Sequence, residues 1–234
     1  MITDHIRQHI LSHIQDESPN EICGLIIVFS GRQLYIRCKN IAENPSINFE
    51  IDPIEWKSAE DRGQILAVVH SHPGDVTPSD RDRQCADDVG LPWLIVNGNG
   101  HVYELIPDSY TKLYVGREFC WGYNDCWSLV WDWYKSELGI RLPDMERPEP
   151  DEWLVNPRPF IDAAYHGFIR VPSESRQYGD VIAMALGDSQ HPTHVGIYLG
   201  DDRILHQVYN RLSSEDVYDG YWLRSTQGVY RYAN

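Results

Sequence analysis

The stretch Tyr123-Asn124-Asp125-Cys126-Trp127-Ser128-Leu129-Val130 sets a cysteine where a polar turn becomes an amphipathic helix. Apolar side chains recur at Cys126, Leu129, Val130, Trp133, Tyr134 and Leu138, which is one helical face, and Gly139 supplies a stop. Cys126 therefore belongs to the first turn, where unpaired backbone N–H groups and the positive end of the helix dipole favour a thiolate, the form of cysteine that attacks carbonyl carbon. Asp125 opposes this, because an adjacent carboxylate favours the neutral thiol. Taken alone, a cysteine on such a face is the pattern of a small core residue. Its role has to be decided by the rest of the chain.

Downstream, residues 143–159 are rich in proline and acid and read as a surface excursion, and residues 160–165 as a short helix. Gly179-Asp180 then introduces a strand over 181–184. The run His194-Val195-Gly196-Ile197-Tyr198-Leu199 alternates, with Val195, Ile197 and Leu199 on one face and His194 with Gly196 on the other. Ile204-Leu205-His206 follows the turn Gly200-Asp201-Asp202. Pairing Leu199 with Ile204 would turn His206 away from His194. A three-residue turn, or an equivalent bulge, instead sets His206 opposite Gly196, on the face of His194 and roughly 7–8 Å from it on the diagonal. That register is the predicted one, since Gly196 leaves room for the two rings. A cysteine at a helix start with two histidines on paired strands supplies the nucleophile, base and orienting group of a cysteine peptidase.

Upstream, residues 4–14 read as a helix, residues 23–29 as a buried strand turning at Ser30-Gly31-Arg32 into a second, and Asp52-Pro53 as the start of a helix stopped by Gly63. The strand over 65–69 runs into His70-Ser71-His72-Pro73, where two imidazoles two residues apart point to one side. Ser79-x-x-Asp82 opens a further helix as an N-cap with a carboxylate in the first turn. Two imidazoles, that carboxylate and the earlier Glu21 also make up three ligands and the general base of an open zinc site. A hairpin over 91–106 closes the first half.

The chain has 234 residues, and its 20 Lys and Arg against 35 Asp and Glu give a net charge of −15. Such a surface repels phosphate backbones and anionic membrane faces, so nucleic acid is not an expected partner. No apolar run approaches membrane-spanning length, and residues 1–7 lack the basic-then-apolar order of a secretory signal, so synthesis in the cytosol is expected. Five cysteines without regular spacing point to reduced thiols rather than a disulfide framework. The Trp and Tyr residues concentrate after Tyr110, which separates two differently built halves. With Pro107-Asp108-Ser109 as the break, the expected domains are 1–110 and 111–234.

Glu21-Ile22-Cys23-Gly24, His70-Ser71-His72-Pro73 and Pro78-Ser79-Asp80-Arg81-Asp82 together resemble the JAMM (MPN-type) zinc isopeptidases. The resemblance implies His70, His72 and Asp82 as Zn2+ ligands, Glu21 as the base that activates water, and Ser79 as a stabiliser of the tetrahedral intermediate. The segment between His72 and Ser79 is one residue shorter than that family's usual spacing. In the second half, Asn124 to Val130, Gly179-Asp180-Val181, His194 to Tyr198 and His206 resemble the NlpC-type cell-wall cysteine peptidases. This implies Cys126 as nucleophile, His194 as base, His206 as the group that positions the imidazole, and no cofactor. Tyr123 or Tyr114 is a candidate for the oxyanion, and Cys120 a bystander. The implied fold class is α+β in two domains, a JAMM-like α/β zinc-hydrolase fold followed by a papain-like fold.

The order of the two domains resembles a family of tail-tip assembly proteins from phages with long non-contractile tails. That resemblance implies other tail-tip proteins, such as hub and tape measure, as partners. It implies peptidoglycan stem peptides as substrate, and location in the host cytoplasm during assembly, then at the virion tail tip and the periplasm or wall on infection. A mainly structural role at the tail tip, with both domains serving assembly through binding, or an assembly protease that trims another tail protein, are the alternative expectations.

Overall fold

The computed structural model of the chain describes residues 2–143, 147, 152 and 167–233. The expected excursion over 143–159 and helix over 160–165 lie almost wholly outside the described residues. Two compact units result, Met1–Lys112 and Leu113–Asn234.

The first unit opens with α1 (Asp4–Glu17), capped by the Thr3 side chain. It continues through β1 (Cys23–Phe29), β2 (Arg32–Cys38), α2 (Pro53–Arg62), β3 (Ile65–Ser71), α3 (Asp80–Val89), β4 (Trp93–Val96) and β5 (Val102–Leu105). The sheet order is β2-β1-β3-β4-β5, with β3 and β4 the parallel pair. β1 is apolar at every position but needs no helical period, because both of its faces are covered. Cys23, Leu25 and Ile27 pack with Ala59 of α2 and Ala86 of α3. On the other face Tyr35 meets His13 of α1. β3 thus leaves the sheet centre carrying His70, and the helix that follows returns Asp82 to it.

His13 is buried, with Nδ1 2.9 Å from the Tyr35 hydroxyl. Burial, and then the charge of Arg37, lowers its pKa from 6.5 to about 4 against a weaker pull from Asp16. The unfolded chain therefore takes up this proton before the folded one does. Stability of the first unit is expected to be lost progressively as pH falls from about 6.5 to about 4. His13→Gln should flatten that dependence, read as the denaturant midpoint against pH.

The second unit holds α4 (Cys126–Glu137), β6 (Phe168–Val171), β7 (Val181–Met184), β8 (His194–Gly200), β9 (Arg203–His206), β10 (Ser214–Val217), α5 (Gly220–Ser225) and β11 (Thr226–Tyr232). Its sheet runs β10-β9-β8-β7-β11-β6, antiparallel throughout. The apolar face of α4, with Trp127, Leu129, Val130, Trp133 and Tyr134, packs on Val181, Ala183, Val195, Ile197 and Leu205. The opposite sheet face buries Ile182, Met184, Tyr198, Ile204, Tyr218 and Val229. Arg231 of β11 reaches the buried Asp180 at 2.8 Å, which ties the last strand to the turn before β7.

Candidate active sites

In the first unit, β3 carries His70 at its buried end, with His72 one residue past the last strand position. Ser79 caps α3 in a capping box, its hydroxyl and amide both bonded to the Asp82 side chain at 2.7 Å. Asp82 is therefore fixed by its own helix start while it faces the histidines. The Nε2 atoms of His70 and His72 lie 3.1 Å apart. They stand 3.4 and 3.5 Å from the two Asp82 carboxylate oxygens. Tetrahedral zinc with bonds of about 2.0–2.2 Å needs ligand atoms about 3.3–3.6 Å apart, and the separations here are close to that, with one ligand atom from each of the three residues within 4.8 Å of the others. The cluster also has the right chemistry. Two imidazole nitrogens this close cannot both present a proton to each other, and a cation between the three groups gives both Nε2 lone pairs and the carboxylate a common partner.

Around this cluster, burial raises the Glu21 carboxyl to about 7, a change that His72 opposes and Asp82 assists. Burial also lowers His70, with hydrogen bonding to Asp82 working against it. His72 is raised, chiefly by its hydrogen bond to Asp82. For Asp82 burial acts upward, but hydrogen bonds from His70, His72 and Ser79 outweigh it and hold the carboxyl well below the usual range. The His70 ring is oriented by packing, stacked on Phe49 at 4.5 Å and edge-on to Trp93 at 5.4 Å. Its Nδ1 is buried with no hydrogen-bond partner among the described residues, so the outer-shell acceptor that usually fixes a ligand histidine is replaced by aromatic contact. Glu21, His72, Ser79 and Asp82 all line one cleft of about 730 Å³, with Phe49 and Trp56 also in its lining. The Ser79 hydroxyl donates to Asp82, so in this state its proton is directed at the ligand rather than into the cleft.

In the second unit Asp125 is the N-cap of α4, accepting from the Ser128 amide at 2.8 Å and hydroxyl at 2.7 Å, and from the Gly122 amide at 3.0 Å. Arg147 pairs with the same carboxylate at 3.0 Å. The sequence expectation that the helix start favours a thiolate is corrected here. Burial first, and then Asp125, push the Cys126 thiol up to about 12, and the N–H groups of Val195 and Trp127 with Arg147 only partly offset them. The sulfur therefore rests as a thiol. Its hydrogen bond to the Val195 amide places it beside the residue that follows His194.

β8 and β9 pair Gly196 with His206, and the register shifts between Tyr198 and Gly200. Leu199 is the extra residue, and Asp201 and Asp202 turn with positive φ. The bulge does what the turn argument requires, placing both imidazoles on one face with His194 Nε2 3.1 Å from His206 Nδ1. Burial, and then His206, lower His194 well below its ordinary value, and burial lowers His206 against the pull of Asp216. Both rings are neutral at rest. A Cβ on Gly196 would stand 2.8 Å from Ile204 side-chain atoms and 3.1 Å from His206 Cβ. Gly196→Val is expected to destabilise the unit by about 1–3 kcal/mol, read as a lowered thermal midpoint, and to disturb the His206 ring resonances.

Three groups escaped the sequence. Asp216 of β10 lies 3.2 Å from His206 Nε2, and Arg211 in turn reaches Asp216 at 3.3 Å. The ring of Trp222 stands edge-on to His206 at 4.4 Å. Ser214-Glu215-Asp216-Val217 has too little apolar alternation to read as a strand, so no sequence signal pointed to the contact. Tyr114 is corrected as an oxyanion candidate: its hydroxyl bonds to Glu137 at 3.0 Å, at the opposite end of α4 from Cys126. Tyr123 sits in the turn before the helix with its amide on Cys120, and Cys120 is buried within that turn.

Comparison with known proteins adds an independent line. A family model described as NlpC/P60 family matches residues 116–231. One described as prokaryotic homologs of the JAB domain matches residues 3–110. The tail tip assembly protein K of Escherichia phage N15 is 33% identical over 228 residues, covering 95% of this chain and 92% of that protein. The protein of the same name from Escherichia phage lambda is 35% identical over 185 residues, covering 78% and 89% respectively. A solved NlpC/P60 family protein from Bacillus cereus aligns with a TM-score of 0.37 at 16% identity, over 95% of this chain and 67% of that one.

Proposed function

The chain belongs to the tail tip assembly protein K family, and from that premise we propose that it serves at a phage tail tip as a cysteine peptidase acting on peptidoglycan stem peptides. The observation that supports this most is the pair of buried neutral imidazoles 3.1 Å apart beside the strand residue whose amide touches the Cys126 sulfur. In the proposed reaction His194 takes the thiol proton at Nδ1 as the sulfur attacks the amide carbonyl carbon. The same proton is returned to the leaving amine as the C–N bond breaks, leaving an acyl group on sulfur. Water, deprotonated by His194, then releases the acid and restores the thiol. His206 holds the His194 ring during both transfers.

The first unit is proposed as a zinc site of JAMM type. His70, His72 and Asp82 would hold the ion, which when bound supplies a Lewis acid and an acidified water. Glu21, with a pKa of about 7, can accept and return a proton near neutrality. Aromatic packing around His70 and the capping box at Ser79 keep the ligands in place. Tail-tip proteins are the proposed partners, with assembly in the host cytoplasm and action at the periplasm or wall. No described helix is long and apolar enough to cross a membrane.

Incubation of the purified chain with muropeptides, followed by mass spectrometry, tests the reading. New termini within the stem peptide are expected; intact muropeptides would leave a structural role as the better account.

A further inference from the structure

We propose that Asp216 is a positioning residue that fixes the tautomers of both active-site histidines, so that His194 presents a bare Nδ1 to Cys126. The inference rests on the peptidase reading above and adds to it a fourth residue.

Hydrogen-bond direction carries the case. An ionised carboxylate only accepts, so the proton on His206 sits on Nε2, 3.2 Å from the Asp216 oxygen. Neutral His206 then has a lone pair on Nδ1, and the His194 Nε2 facing it at 3.1 Å must be the donor. That leaves the single proton of neutral His194 on Nε2, and its Nδ1 free to act as base. Were the His206 proton on Nδ1 instead, the chain would reverse: His194 would accept at Nε2, carry its proton on Nδ1, and be unable to take one from the thiol. One carboxylate on β10 thus selects the competent arrangement across two rings.

The surroundings support this. Asp216 is kept ionised: burial acts upward on it, but hydrogen bonds from His206 and Ser214 outweigh that and lower it. Arg211 at 3.3 Å adds a positive charge on the same oxygen. Trp222 also packs on His206, edge-on at 4.4 Å, and offers no proton acceptor to compete for Nε2. His206 is fully buried, so water cannot substitute for the carboxylate. The register is fixed too, since Asp216 pairs with Ile204 and Ser214 with His206, which places the carboxylate diagonally across from the ring on its own face.

The test is nitrogen-15 NMR of ring-labelled histidine in the full chain, compared for wild type, Asp216→Ala and Asp216→Asn, with muropeptide kinetics on the same samples. Wild type is expected to show both His194 and His206 protonated at Nε2. Asp216→Ala should populate the reversed tautomers and lower kcat by about 10-fold or more with KM little changed. Asp216→Asn, whose amide oxygen can still accept from Nε2, should restore the wild-type pattern and most of kcat. Unchanged tautomers in Asp216→Ala would overturn the proposal, as would a loss confined to thermal stability. A wild-type pattern as expected, with muropeptides left intact, would instead count against the peptidase reading alone.

Discussion

Cys126→Ala is expected to lower muropeptide hydrolysis by at least about 10³-fold while leaving the thermal midpoint within a few degrees. Cys126 as a residue is half-buried although its thiol is desolvated, and it packs at the edge of the core around Trp127 and Val195, so removal of one sulfur atom takes away little apolar contact. His194→Ala is expected to lose nearly as much. The reason is the state of the thiol: at a pKa of about 12 almost none of it is ionised near neutrality, so attack requires a base to draw the proton away. Had the helix start produced a standing thiolate, loss of the imidazole would matter less to the first step. Steady-state kinetics on one muropeptide, with circular dichroism to verify folding, measures both variants. A His194→Ala enzyme within ten-fold of wild type would contradict the account of the resting thiol.

The second large effect concerns the first unit. About one zinc per chain is expected by metal analysis, and His70→Ala should weaken zinc affinity by at least about 100-fold. His70 is fully buried, and its Nε2 lies 3.1 Å from that of His72 and 3.4 Å from an Asp82 oxygen, a place from which no other described side chain offers a ligand atom. Because ion binding stabilises only the folded state, chelation should lower the first unit's melting transition, by about 2.7 kcal/mol when free zinc had stood at 100 times the dissociation constant. Muropeptide hydrolysis at Cys126 should survive chelation, because the two sets of residues lie in separate units. A protein that neither contains nor takes up zinc would remove the proposed metal site.

Where the chain was legible, the cause was strong local signals that agreed with tertiary packing. The apolar face from Cys126 onward, the capping signal Ser79-x-x-Asp82 and the alternation from His194 each named an element correctly: α4 buries Leu129, Val130, Trp133 and Tyr134, the capping box starts α3, and β8 is a strand with both faces covered over residues 194–198. The histidine pair was legible through Gly196, whose missing Cβ leaves room for the Ile204 side chain and the His206 Cβ beside its backbone. The loop before Ser79, though short, still returns Asp82 to the histidines.

What could not be read lies in contacts made by polar strands and caps. β6, β10 and β11 carry exposed positions that dilute a strand pattern, and they become strands only by pairing with β7 and β9. Asp216 gains its role from that pairing alone. Asp125 looked like an electrostatic neighbour of the thiol. In the fold it is first a helix cap held by Ser128, Gly122 and Arg147, while its charge still raises the thiol. The thiolate expectation failed for a similar reason: a helix terminus contributes a fraction of a charge, and burial of the sulfur exceeds it.

The claim at the centre of this account is that Cys126 forms and releases an acyl bond. Rapid acid quenching of the full chain during turnover of a muropeptide, followed by peptide mapping, reads it directly. The expected result is a mass increase equal to the acyl half of the cleaved substrate, confined to the peptide that carries Cys126 and absent in Cys126→Ala. Product formation at an undiminished rate after complete alkylation of Cys126 would contradict it.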